Sequence, residues 1–128
     1  MTNVDVIKTM YENFVKGDVP AVLGAMTPDI EWAECQGMPF VTGDGMFIGP
    51  EAVLTNVFMQ LGVHIDGFNI AVTDIIGAGD KVVMHGYYQG TNKASGHPFK
   101  ANAAHIWTLK DGKVTNFFQA VDTAMINS

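Results

Sequence analysis

Apolar positions recur first at helical spacing and later at every second residue. Val4, Ile7, Tyr11, Phe14 and Val15 mark one face of a first helix, with Thr2 or Asn3 to cap it. Gly17 suits the left-handed position after that helix, and Asp18 can cap the next. Pro20 falls in the first turn of this second helix, where a missing N–H costs little, and Val22, Leu23 and Met26 supply its buried side. Thr27-Pro28-Asp29 ends it, and Ile30 to Cys35 alternates as a short strand. Gln36 to Gly49 holds four glycines and a proline, which predicts a loop of the kind that walls or covers a pocket. Gly49-Pro50-Glu51 opens a third helix, with Leu54, Val57, Phe58 and Leu61 as its buried stripe.

After Gly67 the period changes to two. Residues 68–76, 81–90, 99–109 and 114–121 read as strands, joined by hairpin signals at Gly77-Ala78-Gly79-Asp80 and Asp111-Gly112. Three helices with one strand among them, then a four-strand meander, predict an α+β domain. Its curved antiparallel sheet carries the helices on one face. No repeat or linker interrupts the chain, so residues 1–128 read as a single domain.

The last hairpin makes a sharper prediction. If Asp111-Gly112 is a two-residue turn, Lys110 pairs with Lys113, His105 with Phe118 and Ala103 with Ala120. Ala103, His105, Trp107, Phe118, Ala120 and Asp122 then share one face, and Ala104, Ile106, Phe117, Gln119 and Val121 share the other. In that register His105 and Asp122 sit roughly 13 Å apart, as two parts of one pocket wall rather than a hydrogen-bonded pair. Both faces are largely apolar. One packs on the helices, and a homodimer is expected to cover the other.

Composition narrows the function classes. The net charge is −6, which disfavours nucleic acid and anionic membrane surfaces. All seven basic residues are lysine, so no guanidinium fork is available for phosphate or carboxylate. Cys35 is the only cysteine and reads as a small apolar residue. No signal-like leader or apolar span is evident, and a cytoplasmic protein is expected. The histidines lack metal-ligand spacing, and the glycines do not form a dinucleotide fingerprint; neither a metal nor another cofactor is expected.

Three segments carry a resemblance: GDVPAVLGAMTPDIEWAE (17–34), FIGPEAV (47–53) and HIWTLKDGKVTNFFQAVDTA (105–124). With the element order they make the chain similar to the nuclear transport factor 2-like superfamily. Within it the chain resembles the SnoaL-like polyketide cyclases and ketosteroid isomerase-related proteins. The resemblance implies a cone-shaped sheet, with three N-terminal helices on its concave face and an apolar pocket between them. It implies that Glu34 stands where the steroid isomerases hold their general base, and His105 near their oxyanion-stabilising acid. Asp122 stands near the base of the SnoaL-type cyclases. The isomerase tyrosine of the first helix falls at Met10, or nearly at Tyr11.

Enolisation needs a base for a carbon-bound proton and a donor for the enolate oxygen. Asp122 and Glu34 are the candidate bases, since burial in an apolar pocket raises a carboxyl pKa, and His105 is the candidate partner acid. Trp32, Met10, Tyr11, Phe14, Phe58, Trp107 and Phe118 are the candidate ligand-contacting residues. The expected function is proton transfer without a cofactor on a small apolar carbonyl compound, as an isomerase or aldol-type cyclase. The alternatives are a binding protein for a small apolar ligand and a dimerisation module with an inert cavity.

Overall fold

The computed structural model describes all 128 residues. Helices α1 (Asn3–Val15) and α2 (Val19–Gly24) open the chain. A capping box starts α1: Asp5 N–H donates to the Thr2 side chain, and Thr2 N–H donates back to the Asp5 carboxylate. Strand β1 (Met26–Ala33) follows, then a loop that contains the short strand β2 (Met46–Ile48). The expected third helix is broken into α3 (Pro50–Val53), a π-helical turn (Leu54–Phe58) and α4 (Met59–His64). That wider turn leaves two consecutive residues, Val57 and Phe58, both facing the interior. Strands β3 (Ile65–Ala78), β4 (Lys81–Asn92), β5 (Pro98–Lys110) and β6 (Lys113–Val121) form the meander, and a final turn of helix, α5 (Thr123–Ile126), closes the chain.

The architecture is α+β, with a curled, open sheet of strand order β2-β1-β6-β5-β4-β3. It differs from the sequence expectation in three ways. The sheet has a sixth strand, β2, inside the predicted loop. Strand β1 pairs parallel to β6, while every other pair is antiparallel. Residues 26–29 belong to β1 rather than to the end of α2, because the β1 ladder reaches back to Met26 opposite Val114.

The register slips at four places in the sheet, and two of them bear on the site. In β3 the register slips by one between Val72 and Asp74, opposite Gly86 and His85. A Cβ on Gly86 would stand 2.2 Å from the Ala71 carbonyl oxygen, so glycine lets β3 fold closely over β4 there. The second slip lies in the last hairpin. Lys110 pairs with Lys113 as the turn dictates, but Thr108 pairs with Asn116 while Leu109 pairs with Val114. Thr115 is therefore an extra residue in β6. Beyond it His105 faces Gln119, Ala103 faces Val121 and Trp107 faces Phe117. The pairing predicted from the turn alone is wrong by one residue, and every side chain of β6 past Thr115 changes face.

The concave face packs on α1, α2 and the α3–α4 stretch. Ile7, Ile30, Val53, Val82, Met84 and Val114 are wholly buried there. At the other end Met38, Leu61, Ile65, Phe99 and Ile126 form a second cluster. Ile126, fully buried, plugs this end, and Asn92 Nδ2 fixes it by donating to the Ile126 carbonyl (2.8 Å). The outer face carries an apolar row across all six strands. Met46, Ala33, Phe118, Ile106, Val83 and Ile76 are successive cross-strand partners, and Phe118 is 52% exposed.

Candidate active site

The cone encloses a cavity between α1, the π-helical turn and the sheet. Apolar side chains supply most of its wall, among them Met10, Phe14, Trp32, Phe58, Phe68 and Phe117. Its free space is about 40 Å³, enough for one or two water molecules. Phe14 touches both Phe58 (centroids 5.5 Å apart) and Phe68 (6.4 Å) edge to face. All three rings are half-buried.

The polar groups within this wall are few and connected. Trp107 Nε1 donates to the Tyr11 hydroxyl (2.9 Å), and that hydroxyl meets His105 Nδ1 (2.6 Å). On the other side of the ring, His105 Nε2 meets the Tyr88 hydroxyl, which donates to Gln119 Oε1 (2.7 Å). Glu34, at the end of β1, accepts from Trp32 Nε1 (3.0 Å) and lies beside Gln119. Its backbone is tied to the loop by an N–H bond to the Gly45 carbonyl (2.8 Å).

Burial sets the electrostatics. Desolvation lifts the Glu34 carboxyl from 4.5 to about 7, against the hydrogen bond from Trp32 and the nearby Gln119 amide, which both favour the charged form. The same effect pushes His105 down to about 3, and raises both Tyr11 and Tyr88. At neutral pH Glu34 is poised between its two forms, while the imidazole and the phenols are uncharged. No three of the His, Cys, Asp and Glu side chains converge as a metal site would require.

Glu34, His105, Met10, Tyr11, Phe14, Trp32, Phe58 and Trp107 all line the cavity. Two predicted site residues do not. Phe118 lies on the outer face and is exposed, because the extra residue Thr115 reverses the parity of β6. Asp122 is exposed at the mouth of α5, where its carboxylate accepts from Met125 N–H (3.2 Å) as a helix cap. It offers no carboxylate to the cavity. Both ring nitrogens of His105, the expected partner acid, are engaged by Tyr11 and Tyr88, and burial favours the uncharged ring.

Sequence reasoning missed Tyr88, Phe117 and Gln119. Tyr88 was within reach, since strand parity carries the inward face from Met84 through Gly86 to Tyr88. Phe117 and Gln119 were hidden by the bulge, which has no glycine to announce it.

A model of the SnoaL-like domain matches residues 7–117. Among solved structures, the NTF2-like protein of Burkholderia thailandensis E264 is similar at 30% identity over 99% of this chain and 95% of its own, with a TM-score of 0.92. An NTF2-like protein of unknown function from Burkholderia pseudomallei K96243 is 28% identical over 100% of both chains, with a TM-score of 0.87. TerC, co-crystallized with polyporic acid, is 27% identical over 98% of both chains, with a TM-score of 0.84. A comparison with curated proteins finds no match.

Proposed function

The chain belongs to the SnoaL-like domain family, and on that premise we propose that it is an enzyme of the isomerase or cyclase kind. In this reading it moves a proton on a small, largely apolar carbonyl compound, with Glu34 as the general base. The observation that carries the reading is Glu34 itself: a carboxyl 5% exposed, in an apolar cavity, with its pKa lifted to about 7. A base is most effective when its pKa lies near the working pH. The substrate's own carbonyl would accept the electron pair, so the reading calls for no cofactor.

Proton exchange in deuterated water tests it. Small ketones such as cyclohexanone and 2-indanone are incubated with the protein, and loss of the α-proton signal is followed by NMR. Exchange faster than the buffer rate is the expected result. A panel in which no ketone exchanges faster with protein would sink the enzymatic reading. Binding without turnover is then the second reading, favoured by the apolar wall, in which 13 of 16 lining residues are hydrophobic. The similar TerC, co-crystallized with polyporic acid, is consistent with either.

The outer face supports a second copy of this chain as partner. The apolar row from Met46 to Ile76 crosses the full sheet, and a face of that kind is normally covered. A dimeric mass in analytical ultracentrifugation is expected, shifting toward the monomer in Phe118→Lys; a monomeric wild type would refute it.

A further inference from the structure

The hydrogens of the polar wall are nearly all committed. The indole N–H of Trp107 goes to Tyr11, and that of Trp32 goes to Glu34. Tyr88 gives its single hydroxyl hydrogen to Gln119 Oε1. The contact between Tyr88 and His105 Nε2 is then filled by a hydrogen on that nitrogen. A neutral imidazole carries one N–H, so Nδ1 is bare and takes the hydrogen of Tyr11. The neighbour of Gln119 sets the orientation of its amide. Turned over, its carbonyl would face the Glu34 carboxylate, acceptor against acceptor.

One donor is left. Gln119 Nε2 has no hydrogen-bond partner, its side chain is 3% exposed, and it lines the cavity beside Glu34. A buried donor without a partner is costly, and a ligand oxygen placed against it relieves that cost.

We propose that Gln119 Nε2 donates to the oxygen of the bound ligand, a carbonyl whose adjacent carbon then lies against Glu34. The place of that carbon rests on Glu34 as the base; the hydrogen bond from Gln119 does not. As the C–H bond breaks, its proton passes to the Glu34 carboxylate. Its electron pair moves into the carbon–carbon bond, and the carbonyl pair moves onto oxygen. The Gln119 amide holds the resulting enolate oxygen. Return of the proton from Glu34, to the same carbon or to a conjugated one, restores the carbonyl and the base. Gln119 thereby takes the part that the fold resemblance assigned to His105, whose nitrogens are both occupied.

The probe is 4-nitrophenol, whose phenolate mimics an enolate oxygen. Protein labelled with nitrogen-15 only at glutamine gives side-chain amide signals from Gln36, Gln60, Gln89 and Gln119. Replacing the first three one at a time assigns the last. Titrating 4-nitrophenol into the wild-type chain is expected to move one Gln119 amide proton downfield. Gln119→Met is expected to bind it about ten- to a hundredfold more weakly, a larger loss than in Tyr11→Phe. No binding to the wild type, an unmoved Gln119 signal, or the larger loss in Tyr11→Phe overturns the assignment. Should Gln119→Met fail to fold, the wild-type amide signal decides alone. Glu34→Gln separates this assignment from the base reading. It removes the base and keeps the amide, so it should still bind 4-nitrophenol while losing exchange. Retained exchange there would sink Glu34 as base and leave Gln119 standing.

Discussion

Glu34→Gln is expected to slow ketone proton exchange by about 10²–10⁴-fold, the usual contribution of a positioned general base. The substitution is nearly isosteric. The new amide oxygen can still accept from Trp32 Nε1, so the wall keeps its shape and only the proton acceptor is lost. Ligand affinity should change far less than turnover. The wild-type rate should climb with pH and level off above about 7, because the ionised carboxylate is the active form. A rate in Glu34→Gln equal to that of the wild type would remove Glu34 from the base role, and so would a pH profile with no inflection near 7. Asp122→Asn serves as the contrast: its carboxylate caps α5 in solvent and does not line the cavity.

The same variant should change the pH dependence of folding, with the opposite sign in usefulness. The Glu34 pKa is raised on folding, from 4.5 to about 7. Its contribution to stability is complete below 4.5 and is lost as pH rises through about 7. The His105 pKa is lowered on folding, from 6.5 to about 3. Its contribution is complete above 6.5 and is lost as pH falls toward about 3. Between 4.5 and 6.5 the two slopes oppose each other, and the wild-type protein should be nearly indifferent to pH there. Glu34→Gln leaves the histidine slope alone. Over that interval its unfolding free energy should rise by about 1.4 kcal/mol per pH unit. Above pH 7 it should exceed the wild type by about 3 kcal/mol, the free-energy equivalent of the lost pKa rise. Urea unfolding across the pH range measures both. Parallel wild-type and variant curves would show that Glu34 is not carrying a desolvation penalty. A site that works by holding a reluctant charge gives up stability for it.

The elements were legible because their signals are local. Thr2 and Asp18 cap the helices they were expected to cap, and Asp111-Gly112 makes the turn it spells. Periodicity also gave the strands to within a few residues. The pairing of β1 with β6 was not legible, because nothing in either strand specifies a parallel neighbour far away in the chain. Strand β2 was too short, and too rich in flanking glycine, to stand out from its loop. At the site, Glu34 could be named through the family resemblance, and most of the aromatic wall lies on helices and strands whose inward face follows their own period. Gln119 and Phe118 exchanged places for a different reason. A strand's parity is counted from a fixed point, and Thr115 shifts the count after the turn has set it.

That extra threonine decides what the cavity wall presents. Were Thr115 to fall into line opposite Thr108, the distal half of β6 would turn over, bringing Phe118 and Ala120 inward and sending Phe117 and Gln119 out. The chemistry presented to a ligand would be rewritten with no substitution in the cavity at all. Deleting Thr115 would not do this: Asn116 would then follow Val114 directly and still pair with Thr108, so Phe117 and Gln119 would stay opposite Trp107 and His105. The surplus residue beside the turn acts as a frame marker for side chains, held out of the ladder so that the inner wall keeps its phase.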